Sequence, residues 1–553
     1  MSLCSSVSSK STRQVYGRAR LVGPVLLPLV LVGGAAFDNG GYDATTWGWA
    51  TLLPLVVVGT GLVLGAARRP GRLSVTFLGL LAAFTAWTFA SVAWSSAVSQ
   101  SVLEGERLLV YLAAAAAFLL LERDAVERLL WGLLATIAVV CAWSLGLRAF
   151  GGAGSYDVGS VSADATRRLA APLGYSNGLG LLAAIGILLA AGLAVRLRKP
   201  VAVVPVLVLL PTLYFTYSRG AWLALAAGGV ASLALAPPRL PRGVAIAAGA
   251  VLVAAVVLAL VSVGGPAGAM RKFSGAGPTV KANQQSRLLS LSGSSRSQYW
   301  QVAWKEYASA PWLGSGAGSF QRHWLRLRPA ELPVLDAHSL YLETLAEVGP
   351  VGLALLGALL SLPVAAAIFA RSRPLAVPAL GGYAAFLVHA AQDWDWELPA
   401  VTLAGLACGI ALLLLAEGER RIALSPRLRA TAVGIATALA AAALGALAGN
   451  EALAAASSAL DGDRSATASR DARWAERLVP WSPDPWRLRG EAELSLGNVG
   501  SARRSFREAL AKDSADWESW ADLALVTQGP ERRKALKQAV ELNPLARIQP
   551  GEG

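Results

Sequence analysis

The sequence predicts an all-α polytopic membrane protein. Of its 553 residues, 55% are hydrophobic and only 15% are charged. The mean hydropathy is +0.50. Apolar runs long enough to cross a hydrocarbon core of ~30 Å recur from residue 20 to residue 448.

The runs fall near 20–37, 47–66, 73–93, 107–121, 129–149, 177–195, 201–217, 220–236, 243–264, 343–369, 375–392, 398–416 and 429–448. The 107–121 run is short for a span, so 12–13 transmembrane helices are expected. Residues 1–19, with Lys10, Arg13 and Arg18, read as a cytoplasmic tail leading into a retained first helix and not as a cleaved signal. The turns Arg68–Arg72, Glu122–Arg128, Arg196–Lys199, Pro237–Arg242, Arg371–Pro374 and Glu417–Arg429 then face the cytoplasm, and each carries lysine or arginine. The alternate loops 38–46, 94–106 and 393–397 carry none. That alternation is the positive-inside pattern, and it points to a multi-pass protein of the inner (cytoplasmic) membrane.

The formal net charge of +14 could suggest a nucleic-acid partner, but no basic stripe with interleaved aromatics is present. Nucleic acid is therefore excluded. Cys4 sits in the tail, while Cys141 and Cys408 lie inside apolar runs, which makes neither a disulfide frame nor a metal set.

Three outward segments hold arginine where topology does not ask for it. Gly151–Ala171 contains Arg167 and Arg168, Thr216–Gly220 contains Arg219, and the long extracytoplasmic loop 265–342 contains Arg287, Arg296, His323 and His338. An anionic ligand at the outer face would give this charge a task. His338 is one of three histidines and opens the last stretch before an apolar run. If the following helix were continuous, Gly349 and Gly352 would lie within about 40° of the His338 direction. They would then form a smooth strip for close helix packing, with Pro350 expected to kink it.

Beyond the membrane domain, 20–448, the composition becomes charged and soluble across 449–553, which the count places outside. Trp486 and Trp520 are 34 residues apart, and Ala475 to Trp486 matches Ala509 to Trp520. Small residues at helix contacts and Pro544 after the last unit complete a tetratricopeptide-like (TPR-like) pattern, a surface for a protein partner or a cap over the outer face.

Several segments together resemble the O-antigen ligase and polymerase superfamily. These are Ala171–Gly178, Tyr217–Ala224 with its Ser-Arg-Gly core, Arg296–Trp300, Pro311–Phe320, His338-Ser339 spaced before Gly349 and Gly352, and Val388–Asp393. Each is weakly specific alone, but their order around matching apolar runs over roughly 20–416 is more so. The resemblance implies a membrane glycosyltransferase that moves a glycan from a polyprenyl-diphosphate (undecaprenyl-type) donor to an acceptor hydroxyl on a glycolipid, glycan or protein. It also implies that no metal and no cofactor is used. Imidazole suits a base near neutral pH, which makes His338 the catalytic candidate. Arginine matches phosphate oxygens with a planar fork, which makes Arg219 and Arg296, with Arg287 in reserve, the diphosphate ligands. Asp393 is a candidate sugar contact. Glycan polymerization and protein glycosylation share these motifs and stay open. A flippase would instead favour duplicated spans and charge at mid-membrane, which the sequence does not show.

Overall fold

The computed structural model describes residues 22–64, 69–150, 168–235, 296–329, 331–332, 334–418 and 422–547. The tail 1–19, the span at 243–264, Arg167 and Arg287 lie outside the described residues. Among the described residues every regular element is helical.

The membrane domain comprises α1 (Val22–Phe37), α2 (Ala44–Val63), α3 (Arg72–Ala90), α4 (Val98–Phe118), α5 (Val126–Ala149), α6 (Ser176–Leu197), α7 (Val206–Phe215) and α8 (Arg219–Leu235). After the outer loop come α11 (Leu340–Phe369), α12 (Ala376–Ala390), α13 (Pro399–Ala416) and α14 (Pro426–Asp461). Seven helices are long and apolar enough to cross a membrane: α2, α3, α5, α6, α11, α13 and α14. Shorter apolar helices, α1, α7, α8 and α12, accompany them.

The central element is α13, whose apolar residues are buried almost throughout. A helix that is hydrophobic all round can be satisfied only in the middle of a bundle. It packs against α4, α5, α11 and α12.

Two boundaries depart from the hydropathy reading, each for a visible reason. Helix α4 begins at Val98 and not near 107. Its charged first half is accommodated because Arg107 pairs with Glu104 and Glu397, while Glu106 accepts from Asn450 at 2.9 Å. Helix α14 continues to Asp461, so no break in the helix marks residue 448.

The outer loop contributes α9 (Arg296–Ser309) and α10 (Phe320–Leu327). The C-terminal helices are α15 (Ser465–Leu478), α16 (Asp484–Ser495), α17 (Val499–Lys512), α18 (Trp517–Leu525) and α19 (Gly529–Leu542), each packed on the next in order. They dock on the outer loop and on the start of α4. Arg322 pairs with Asp513, Arg328 donates to the Asn543 side chain at 2.8 Å, and the Ser99 and Ser482 hydroxyls meet at 3.0 Å.

Candidate active site

His338 does not lie on a helix. Ser339 is the extended residue that caps α11, and His338 before it has φ 56°, in the left-handed region. A β-carbon makes that conformation costly, so the surrounding packing must hold it there. The expected glycine strip under the imidazole is therefore absent. Gly349, at φ 70°, divides α11 in two instead. A Cβ there would lie 2.7 Å from the Trp312 carbonyl oxygen, and one on Gly314 would collide with the Glu347 backbone. The two glycines let the Pro311–Phe320 segment press backbone to backbone against the α11 break. Its amides are spent on this docking: Gly318 and Phe320 donate to the Glu347 carboxylate at 2.9 and 3.0 Å, and Gly316 donates to the Glu347 carbonyl at 2.8 Å.

The His338 Nδ1 lies 3.0 Å from the Asp336 carbonyl oxygen. A carbonyl can only accept, so Nδ1 carries the proton and Nε2 of the neutral ring carries the lone pair. The ring packs against Tyr299 at 4.9 Å between centroids. It lines a cavity of about 250 Å³ together with Tyr42, Tyr175, Tyr299 and Trp394. Burial draws the imidazole down to about 4, the Asp393 carboxylate opposes this, and the Arg296 guanidinium adds to it.

Arg296 stands one turn before Tyr299 on α9, on the same helix face. Its Nη2 meets Asp393 Oδ2 at 2.7 Å. Asp393 is 1% exposed, and both its oxygens are occupied. Oδ1 accepts from Tyr175 Oη at 2.6 Å and from the Trp394 amide at 3.0 Å. Oδ2 accepts from Arg296 and from Asn177 at 2.8 Å. Burial alone would lift this carboxyl, but Arg296 holds it at about 2. The expected sugar contact thus finds no free acceptor on Asp393, whose hydrogen bonds fix the Arg296 side chain.

The same network reaches the turn that carries Arg219. Arg168 donates to Asn177 Oδ1 at 2.7 Å and to the Thr216 carbonyl at 2.8 Å. Tyr217 follows with φ 50°, and half-buried Arg219 opens α8. Behind it, a Cβ on Gly220 would lie 2.9 Å from His389 Nε2. His389 and Asp395 form a buried pair, Nδ1 to Oδ1 at 3.0 Å. Among the described residues its Nε2 has no hydrogen-bond partner.

Arg168, Asn177 and Tyr175 were not singled out by residue chemistry, although Arg168 was among the arginines on the unfavoured side. Trp394 and Trp396, which stand between the acids of the same turn, both pack against protein side chains. Trp394 packs on Tyr175 at 4.4 Å, and Trp396 lies 5.3 Å over Arg107. His323 lies away from this network, its Nδ1 3.3 Å from Glu306.

Two features bear on a metal. Asp393-Trp394-Asp395 is an Asp-x-Asp ahead of α13, but its carboxylates diverge, one to Arg296 and one to His389. Asp336, Glu343 and Glu397 bring carboxylate oxygens within 4.8 Å of one another, a cluster not apparent in the sequence. Oxygen donors of this kind suit a hard cation. Here Glu397 is held by Arg107 at 2.9 Å, and Glu343 accepts from the Ala337 amide at 2.6 Å. Burial, then the Glu397 charge, raise Asp336 well above the carboxylate range, which favours the protonated form that can donate to Glu397.

Residues 204–357 match the family model described as O-antigen ligase. Among curated proteins nothing matches the chain.

Proposed function

We propose, on the premise that this multi-pass membrane chain belongs to the O-antigen ligase superfamily, that it transfers a glycan from a polyprenyl-diphosphate carrier to an acceptor hydroxyl. His338 is the base, and Arg296 and Arg219 hold the diphosphate. The observation that carries this reading is the His338 ring itself. Its Nδ1 is committed to a carbonyl, and its lone-pair nitrogen is left on a cavity walled by aromatic faces beside a fixed guanidinium.

The chemistry follows from these parts. His338 Nε2 takes the acceptor proton as that oxygen attacks the anomeric carbon. The bond from that carbon to the diphosphate breaks, and the electron pair leaves on the diphosphate. Attack opposite the leaving group inverts the anomeric centre. The charge that develops on the leaving oxygen is met by Arg296, whose position is fixed before substrate arrives, so little reorganization is needed at the moment of reaction. The tyrosines and Trp394 offer apolar ring faces on which a sugar ring can lie. A separate cavity lined by Phe77, Leu81, Phe84, Leu356, Leu359 and Leu406 has the apolar character that an isoprenoid or acyl chain needs.

Ligase, polymerase and protein-glycosylating activities would all use this centre and differ in the acceptor. The C-terminal helices are read as a TPR-like unit that meets a protein partner or covers the site, on the outer side of the inner membrane.

The experiment is donor binding and transfer by the reconstituted protein, with a lipid-diphosphate-linked oligosaccharide and a panel of hydroxyl acceptors. Arg296→Gln and Arg219→Gln should weaken donor binding, and wild type should release the lipid diphosphate only when an acceptor is present. Movement of the donor across the vesicle with no acceptor-dependent release would replace the reading with a flippase.

A further inference from the structure

A groove between α14 and α15 stands apart from the His338 cavity. Residues 430–449 of α14 carry no charge. At 1.5 Å per residue they cover about 30 Å, one hydrocarbon thickness. Glu451 therefore marks where α14 leaves the bilayer, on the face opposite the basic loops. Helix α15 returns antiparallel to it: Ala468 packs with Ala459, and Ala475 and Val479 pack with Ala452. A Cβ on Gly449 would lie 2.7 Å from Val479, so the end of α15 is brought down to the bilayer boundary.

That end of α15 is two-faced. Ala468, Ala472 and Ala475 are buried, while Arg470, Arg473, Trp474 and Arg477 are exposed. These four residues line a cavity of about 740 Å³ whose other wall includes Ala448 and Glu451 of α14. Arg470 is paired with Asp471 at 3.0 Å, and Arg473 donates to the Ser469 hydroxyl at 3.0 Å. Among the described residues no carboxylate lies within ion-pair distance of Arg477. Below the groove the α14 surface continues apolar, with Leu444 55% exposed.

We propose that this groove binds the phosphate-bearing headgroup of an anionic membrane lipid. Arg473 and Arg477, one turn apart, present two guanidinium forks to the phosphate, and arginine suits such oxygens because it is always charged and planar. Trp474 sits at the headgroup level that tryptophan favours. The alanines of α14 leave room for an acyl chain to descend along Leu444. A soluble anion would use the arginines but not the apolar surface beneath them, so the ligand is a lipid.

The test uses the full-length protein in neutral detergent, titrated with phosphatidylglycerol or phosphatidylcholine and followed by native mass spectrometry. Each arginine near an anionic headgroup is worth about a factor of 5, so Arg473→Gln/Arg477→Gln should bind phosphatidylglycerol about 10- to 30-fold more weakly. Phosphatidylcholine binding should not change. Glu451→Gln, which removes one of the two acids lining the groove and leaves Asp471 paired with Arg470, should bind phosphatidylglycerol more tightly, an arm that does not depend on the double variant folding. Equal phosphatidylglycerol affinity in wild type and in both variants would overturn the proposal. Displacement of the lipid by millimolar inorganic phosphate would overturn it as well, in favour of a free-phosphate site.

Discussion

Asp393 grips Arg296 at 2.7 Å inside a cage completed by Tyr175 and Asn177, although Arg296 comes from the outer loop and Asp393 from the α12–α13 turn. The pair joins the loop to the membrane domain and fixes a cation beside His338.

Removing one partner leaves the other uncompensated. Asp393→Asn should destabilize the protein by about 3 kcal/mol or more, as breaking buried ion pairs does. Arg296→Lys keeps the charge but loses the fork, so donor affinity should fall about 10-fold while thermal stability falls less than in Asp393→Asn. Unfolding scans beside donor titrations check both.

The pH dependence has a definite sign. A base must be neutral, and His338 is held at about 4, so kcat/KM should rise through that region and stay level above about pH 5. A bound diphosphate favours the imidazolium and raises the ring's pKa, so the acid limb of kcat should lie at higher pH than that of kcat/KM. Removing the Arg296 charge should move the kcat/KM limb upward, and removing the Asp393 charge should move it downward. Profiles of the three proteins decide this.

Gly349→Ala should be among the most damaging small changes outside the site. Its φ of 70° with ψ of −174° is a conformation essentially confined to glycine and costs a side-chain-bearing residue about 1–3 kcal/mol. The added methyl also meets the Trp312 carbonyl at 2.7 Å. The loop would be pushed off α11, and protease should cut the Pro311–Phe320 segment faster than in wild type.

Gly220→Ala places a methyl 2.9 Å from His389 Nε2. Overpacking of this kind typically costs about 1–3 kcal/mol. Because Arg219 precedes it, donor affinity should fall with stability, and donor titrations beside unfolding scans of this variant check both.

Much of this was legible in the sequence because hydropathy and basic loops report each helix separately. The apolar runs located the described spans within a few residues. The exceptions arise where a partner distant in sequence decides: α4 starts early because Arg107 has Glu397 to meet, and α14 outlasts its apolar run because α15 packs beside it. At the site, His338, Arg296 and Asp393 could be named from residue type and resemblance, and they come together. Their relation could not be read, because periodicity assumes a helix where His338 is left-handed. Nor does any local pattern announce that Trp394 turns inward or that Asp336, Glu343 and Glu397 converge.

The most direct measurement is single-turnover glycan transfer by reconstituted His338→Gln at saturating lipid-diphosphate donor, with donor binding measured on the same sample. The account predicts intact binding with transfer slowed about 10²- to 10⁴-fold, the usual contribution of a positioned base. Transfer at the wild-type rate with binding intact would contradict it.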